Sequence, residues 1–310
     1  MGGKEALRGF LYQGFASVLE ALCHEGWDRI YIELDSKNDK VDIALEANHV
    51  IVKSIQVKST INIFKKIESF PPNEIKSEEE AEICLSLTDH FKDRKLKEHL
   101  DWNRDIYEKL ELFLRTNTDK KRAYQLLWST HCSIAFAAGR ILNSKEGINI
   151  FPVQKTATHG TELWDVKLSP GREYPKWKIS DSGPVENKYD TALIVNVTRN
   201  IHNDVINYVE ESHIPVGRLI DCTLEENGAT NFSVQDGTHA SLLANLIYDA
   251  IGGRNLAERR AVLHIFAAAP NALMFFLGQN SMGFGKCILY EYDFEKRSSC
   301  TYSPSFDFTN

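Results

Sequence analysis

The residues with the clearest potential for chemistry lie near the start of the chain: Asp42, Gln56 and Lys58. Gln56 and Lys58 are two residues apart, so on a strand their side chains lie on the same face. A carboxylate, an amide and a lysine that converge could hold Mg²⁺ or Mn²⁺ and stabilise the charge that develops on a scissile phosphate. The same pattern is typical of an amphipathic hairpin whose polar face meets water, and the spacing alone favours that simpler interpretation.

Strands are needed to position these residues, and the surrounding sequence predicts three of them. Segments 29–34, 41–45 and 50–58 are rich in β-branched residues, and residues 46–49 are suited to the turn that joins the last two. Before them, apolar side chains recur with a helical period from Leu11 to Leu22, and Gln13 lies on another face of this predicted helix.

Length and charge limit the classes of function. The chain has 310 residues, 43% of them hydrophobic, and a formal net charge of -7. That charge argues against a protein that coats nucleic acid, so any contact with DNA requires a local basic patch. The six cysteines form no CxxC pair, the start is unlike a signal peptide, and no apolar run is long enough to cross a bilayer. We therefore expect a cytoplasmic protein with reduced thiols.

The rest of the chain changes character twice. After a break at residues 70–73, the charged stretch 76–115 predicts helices, and from about residue 120 strands alternate with helices in the α/β manner. We therefore predict a module over residues 1–70, a helical connector over 71–119 and a second domain over 120–310. The clearest predicted elements of that domain are strands 192–197, 217–222 and 261–267 and helices 201–209 and 240–251.

A weak repeat runs through this second domain. Residues 128–139 align with residues 267–278: each copy has a strand, a few small or polar residues, and an apolar helix that ends in glycine. A predicted strand follows each copy, at 148–153 and 287–292. Two similar α/β lobes in tandem explain this pattern. The alternative is that α/β units resemble one another by construction.

Several separated motifs resemble those of the SAVED domain, the cyclic-oligonucleotide sensor of the bacterial anti-phage systems called CBASS. The resemblance covers residues 120–294, and it implies a fold of two fused CARF-like, Rossmann-like α/β lobes. The motifs are Ser129–Phe136, Gln154–Thr156, Gly160–Trp164, His264–Pro270, Leu277-Gly278 and Tyr290-Glu291.

The start of the chain is similar to the restriction-type, PD-(D/E)xK-like endonuclease module that is often fused to SAVED, in residues 9–13, 42–43 and 56–59. This resemblance implies that Asp42 and Gln56 hold the metal and that Lys58 orients water or stabilises the phosphate. Glu33 and Gln13 are further candidates for metal contact. The stretch after Lys58 is shorter than this module usually has, which keeps an inactive nuclease remnant as an alternative.

Ligands of open α/β sheets bind beyond the carboxyl ends of strands, where loops lead into helices. Here Arg199 and Lys155 could pair with phosphate, and Trp164 could stack on a base. Some of the candidates have a structural alternative. Trp164 and His131 could be core residues, and Arg199 could be a surface charge. The predicted ligand contacts are Ser129, Thr130, His131, Lys155, Thr156, Trp164, Thr198, Arg199, Ala268, Pro270 and Asn271.

These observations predict a CBASS effector. A cyclic oligonucleotide, with a cyclic trinucleotide as the leading choice, is expected to bind the sensor and favour its self-association into oligomers. Oligomers would bring the nuclease modules together on double-stranded DNA. The alternatives are a sensor with an inactive remnant, which acts only by ligand-driven assembly, and an unrelated small-molecule α/β enzyme.

Overall fold

The computed structural model describes residues 26–35, 40–55, 63–69, 83–156, 160–167, 172–224, 233–293 and 301–309. Its contacts divide the chain into two units, Met1–Asn62 and Ile63–Asn310. In the described part, no helix is long and apolar enough to span a membrane. The cysteines found there, Cys84, Cys132, Cys222 and Cys287, are all free thiols.

The first unit contains an antiparallel sheet of three strands in the order β1-β2-β3. These are β1 (Arg29–Asp35), β2 (Lys40–Ala47) and β3 (Val50–Ile55). Asn48 and His49 join β2 to β3 with φ angles of 49° and 63°, as a tight two-residue hairpin turn requires. The three predicted strands are thus confirmed as far as Ile55.

The second unit contains the remaining described elements, which we number in chain order. Its strands are β4 (Ile63–Glu68), β5 (Ile83–Ser86), β6 (Phe91–Lys92), β7 (Lys95–Leu96), β8 (Ala123–Ser129), β9 (Asn149–Thr156), β10 (Gly160–Leu163), β11 (Trp177–Asp181), β12 (Asp190–Asn196), β13 (Val216–Leu224), β14 (Leu263–Ala268), β15 (Cys287–Tyr292) and β16 (Tyr302–Phe308). Its helices are α1 (Glu108–Asn117), α2 (Cys132–Ile141), α3 (His202–Glu211), α4 (Gly237–Gly252), α5 (Leu256–Arg260) and α6 (Asn271–Asn280).

Two mainly parallel sheets organise this unit into two lobes. The first lobe has the sheet β10-β9-β8-β4-β5, in which only β10 is antiparallel to its neighbour. The second lobe has the sheet β11-β13-β12-β14-β15-β16, whose two edge strands are antiparallel. The α/β architecture and the predicted strands and helices of the second half of the chain are confirmed.

The start of the second unit differs from the predicted boundaries at residues 70 and 119. Strands β4 and β5 belong to the first lobe's sheet, where β4 pairs with β8. Residues 83–96 contain short strands and one turn of 3-10 helix at Thr88–His90, and the longer helical stretch of the described residues lies at 102–117. Strand β4 was not predicted because three of its six residues are charged. Lys65 is almost fully buried in this strand, and Lys66 pairs with Glu68.

Helices α2 and α6 pack against each other through reciprocal contacts. A Cβ added to Gly139 would lie 2.0 Å from the carbonyl oxygen of Phe275, and one added to Gly278 would lie 2.0 Å from that of Phe136. These four residues occupy equivalent positions in the aligned copies 128–139 and 267–278. The repeat therefore corresponds to a two-fold relation between the lobes, in which glycine allows close contact of the backbones.

The same relation holds at the far end of the helix pair. Arg140 Nη1 donates to the carbonyl oxygen of Ser281 at 3.2 Å, and Gln279 Nε2 donates to that of Leu142 at 3.0 Å. Both donors lie at the carboxyl ends of their helices. The two helices therefore run in the same direction, with their N-termini side by side.

The two lobes share one hydrophobic core. Its fully buried members include Ile67 and Phe136 in the first lobe and Val195 and Phe275 in the second. A separate aromatic cluster, which includes Tyr208, covers the other face of the second sheet beneath α3. Burial on both faces explains why the central strands β12 and β14 read as near-continuous apolar runs.

Candidate functional site

The N-termini of α2 and α6 meet at the carboxyl ends of β8 and β14. Asn271 Nδ2 donates to the carbonyl oxygen of Thr130 at 2.9 Å, and Cys132 Sγ lies 3.4 Å from the carbonyl oxygen of Ala269. These two contacts are again equivalent under the repeat. The structure thus brings together the loops 129–132 and 268–271, which carry predicted ligand contacts, and we call this place the paired helix ends.

Side chains from the opposite lobe cap both helices. Ser133 N, in α2, donates to Glu291 Oε1 of β15 at 2.7 Å. Ala272 N, in α6, donates to Gln154 Oε1 of β9 at 3.3 Å. Amide groups at the start of a helix attract negative charge, so a carboxylate is a favourable partner there. Glu291 and Gln154 belong to the SAVED-like motifs of the sequence analysis, but they were not among the predicted ligand contacts. Their hydrogen-bond partners lie too far away in the sequence for a local pattern to indicate them.

The first-lobe loop turns its predicted side chains inward. Ser129, Thr130 and His131 are buried. Ser69 Oγ lies 2.8 Å from Thr130 Oγ1 and 2.7 Å from His131 Nδ1, and His131 Nε2 lies 2.8 Å from the carbonyl oxygen of Arg94. These side chains hold the loop in place from inside the protein. The sequence analysis instead predicted that they contact the ligand directly.

Burial away from water lowers the pKa of His131, and the nearby Glu291 carboxylate opposes that effect. The folded protein therefore holds His131 neutral, whereas the unfolded chain takes up a proton below pH of about 6.5. We expect the unfolding free energy to be highest above that pH. It should fall as pH drops below it, by up to about 1.4 kcal/mol per pH unit for this group.

Urea unfolding between pH 7.5 and pH 5 measures this slope. His131→Gln is expected to have a shallower slope than wild type, whatever its overall stability. His99→Gln, at an exposed position, is the matched control. Equal slopes for wild type and His131→Gln would contradict the assignment of a neutral, buried histidine.

A small hairpin of β6 and β7 covers this loop, and the sequence analysis missed it. Phe91 stacks on His131 with ring centres 4.5 Å apart, and Asp93 and Arg94 form the tight turn with φ angles of 50° and 61°. Lys95 Nζ lies 2.6 Å from the buried carboxylate of Asp293, beyond the end of β15. The hairpin therefore brings basic residues close to the paired helix ends. In the sequence, the pattern that could have revealed this hairpin is a two-residue turn between two short alternating segments.

In the second lobe the predicted contacts lie at the end of β12. Thr198 N donates to the carbonyl oxygen of Ala268 at 2.8 Å, so these two residues are neighbours. The Arg199 guanidinium lies 4.1 Å from the centre of the Tyr292 ring and 3.6 Å from an Asp204 oxygen. Arg199 is exposed. Pro270 is the N-cap of α6, and Ala268, Pro270 and Asn271 are half-buried.

Two further predictions have different outcomes. Trp164 is only 2% exposed and packs in the shared core, so its ring is covered by protein. That placement differs from the predicted stacking on a base, because a covered ring offers no face to a ligand. Lys155 and Thr156 lie at the end of β9, and their side chains are outside the described residues.

A polar cluster at the ends of β12 and β13 was not predicted. His202 Nδ1 contacts an Asp221 carboxylate oxygen, and Asn196 Nδ2 donates to the other at 2.6 Å. Asn196 Oδ1 accepts from Ile201 N at 2.8 Å. The cluster fixes the start of α3 beside Arg199.

Two of the candidate metal residues, Glu33 and Asp42, lie on strands β1 and β2 of the first unit. In the β1–β2 register Ile32 pairs with Ile43, which sets the backbones of Glu33 and Asp42 opposite each other. In the described part of the chain, no group of three or more His, Cys, Asp or Glu side chains is arranged to hold a metal. Gln13, Gln56 and Lys58, and the side chains of Glu33 and Asp42, lie outside the described residues.

Comparison with known proteins agrees with this architecture. Residues 106–308 match the family model of SAVED, the "SMODS-associated and fused to various effectors sensor domain". CD-NTase-associated protein 4 of Enterobacter hormaechei subsp. hoffmannii (strain UCI 50) is 35% identical over 225 residues, which are 73% of this chain and 44% of that protein. The chain thus spans less than half the length of this relative.

Solved structures show the same fold at low identity. The Acinetobacter baumannii Cap4 SAVED/CARF-domain receptor with the cyclic trinucleotide 2'3'3'-cAAA has a TM-score of 0.57 and 13% identity, over 80% of this chain and 52% of that one. The same receptor with 3'3'3'-cAAA has a TM-score of 0.57 and 14% identity, over 78% and 51%. The Moraxella osloensis Cap4 receptor has a TM-score of 0.54 and 14% identity, over 80% and 50%.

Proposed function

Because the chain belongs to the SAVED family, we propose that its second unit is the receptor for a cyclic oligonucleotide, with a cyclic trinucleotide as the leading ligand. The observation that carries this proposal is the meeting of the α2 and α6 N-termini at the carboxyl ends of two parallel strands. Similarly folded receptors hold cyclic trinucleotides, which supports the choice of ligand.

The paired helix ends offer the chemistry that such a ligand requires. Backbone N–H groups at helix N-termini are donors for phosphate oxygens, and the helix dipole favours negative charge there. The half-buried small residue Ala268 allows a ligand to approach the backbone. Arg199, at the neighbouring strand end, and Lys155 supply positive charge for further phosphates.

We also propose that the first unit is a metal-dependent DNA endonuclease, so that the whole protein is a CBASS effector in the cytoplasm. Asp42 and Gln56 would hold Mg²⁺ or Mn²⁺, with Glu33 as a further ligand, and Lys58 would stabilise the charge on the scissile phosphate of double-stranded DNA. Cyclic-oligonucleotide binding would favour self-association of the sensor and so bring several nuclease units onto one DNA molecule. The confirmed hairpin around Asp42 supports this half of the proposal.

A second candidate is a sensor whose first unit is an inactive remnant, so that the ligand drives assembly alone. One observation favours it. Strand β4 belongs to the sensor's sheet, and the first unit therefore ends at Asn62, earlier than the sequence predicts. Ligand-dependent oligomers without metal-dependent cleavage are the expected result for this candidate.

A thermal-shift panel of cyclic di- and trinucleotides tests the receptor proposal. A ligand that binds only the folded state stabilises it by about 2.7 kcal/mol at a concentration 100 times its dissociation constant. We therefore expect the Tm to rise with concentration for at least one cyclic trinucleotide. The linear trinucleotide with the same bases is the control and should cause a smaller shift. The proposal fails if no ring in the panel moves the Tm, which would favour the small-molecule enzyme.

A further inference from the structure

The two halves of the paired helix ends match in position but differ in charge. Gln154 directly follows the residue that pairs with Leu127, and Glu291 directly follows the residue that pairs with Phe266. Leu127 and Phe266 each immediately precede an aligned copy of the repeat. Gln154 and Glu291 are therefore equivalent positions in the two lobes, one with a neutral amide and one with a carboxylate.

The contacts of these two side chains are equivalent as well. Glu291 Oε1 accepts from Ser133 N at 2.7 Å and Gln154 Oε1 accepts from Ala272 N at 3.3 Å. Ser133 and Ala272 align with each other in the repeat. Among the described residues, Glu291 Oε2 accepts no hydrogen bond from the protein, and Glu291 is only half-buried. It can therefore accept a hydrogen bond from a ligand without giving up its contact with the helix.

We propose that Glu291 is a specificity-determining residue, which accepts a hydrogen bond from a nucleobase amine of the ligand and keeps phosphate away from the α2 end. This inference rests on the proposed receptor function. A carboxylate repels a phosphate in a partly buried site, whereas a charge-assisted hydrogen bond to an amine is favourable. The ligand's phosphate then binds at the α6 end, where Gln154 adds no negative charge. As a result the ligand binds in only one of the two orientations that the two-fold geometry of the site would allow.

Glu291→Gln is the decisive variant because it has the same shape. It keeps an oxygen for Ser133 N but replaces the carboxylate with an amide that offers a donor at the other position. The probes are 3'3'3'-cyclic tri-AMP and its inosine counterpart, in which a carbonyl replaces each base amine. If the panel identifies another ring, that ring and its deaminated counterpart take their place.

Wild type is expected to bind the amine-bearing ring about 10- to 100-fold more tightly than the deaminated one, since a carboxylate that faces a carbonyl is left unpaired. In Glu291→Gln the preference should fall to near equality or reverse. Gln154→Glu is the matched variant in the other half. It should weaken binding of both rings by about tenfold or more, because it puts a second carboxylate where phosphate binds. Isothermal titration calorimetry measures all of these affinities.

Three outcomes would overturn the inference while leaving the receptor function intact. These are a wild type without preference between the two rings, a Glu291→Gln variant with the wild-type preference, and a preferred ring that has no base amine. Failure of wild type to bind any cyclic oligonucleotide has a different meaning. It removes the receptor function itself, and the role of Glu291 with it.

Discussion

Replacement of Gly139 by alanine is expected to destabilise the second unit by about 3 kcal/mol or more, or to prevent its folding. The added Cβ would lie 2.0 Å from the carbonyl oxygen and 2.9 Å from the carbonyl carbon of Phe275, both of them backbone atoms of α6. Backbone in a packed helix cannot move aside alone, so α2 and α6 must separate. Gly278→Ala should have a similar effect, because it meets Phe136 in the equivalent way.

Gly252→Ala is the matched control for this experiment. Gly252 is also helical, at the end of α4, but apart from its chain neighbours and its own helix backbone no described atom lies within 4 Å of the Cβ that would be added. Alanine there should leave stability unchanged or raise it by up to about 1 kcal/mol, because alanine favours a helix more than glycine does. Urea unfolding followed by circular dichroism distinguishes the three variants. Wild-type stability of Gly139→Ala would refute the close contact of the two helices.

The second large effect is expected in the first unit, where Lys58→Ala should reduce DNA cleavage by about 10²- to 10³-fold. Loss of a positive charge that stabilises the transition state has this order of magnitude in hydrolytic enzymes. The assay is plasmid cleavage with Mg²⁺ and the ligand that the thermal-shift panel identifies. The ligand-induced Tm shift of Lys58→Ala should equal that of wild type, which separates a loss of cleavage from a loss of sensing.

Lys53→Ala provides the control within the same predicted strand. Lys53 is five positions from Lys58, so strand alternation in the sequence predicts that the two side chains lie on opposite faces. Lys53→Ala should cleave as wild type does. Cleavage by Lys58→Ala at the wild-type rate would show that the proposed site is wrong. Ligand-dependent oligomers of a wild type that cuts nothing would instead support the inactive remnant.

The sequence predicted the second half of the fold well because its central strands, β12 and β14, are buried on both faces. Strand β12 reads as an apolar run, and the helices on either side have clear periodicity. The repeat was visible because a packing requirement, glycine at the contact of α2 with α6, left the same residue at Gly139 and Gly278. Sequence patterns therefore reveal what a helix or strand requires of its own residues, such as apolar periodicity or a glycine at a close contact.

The features that sequence reasoning missed depend on contacts between distant segments. Nothing local to Glu291 indicates that it caps a helix that starts at Cys132, and nothing local to Ser69 indicates its contact with His131. Strand β4 was missed because a buried lysine, Lys65, breaks its apolar pattern. Trp164 shows the opposite error, since an aromatic residue within a motif was expected at the ligand and lies in the core.

The crossed capping of the two lobes restricts how the lobes of the second unit can move relative to each other. Each lobe holds the helix of the other at its start, and the two helices are joined again at their far ends by Arg140 and Gln279. A hinge between the lobes would break all of these contacts and open the shared core at the same time. If the second unit is the receptor proposed above, ligand binding would therefore reshape its surface without opening a hinge between the lobes.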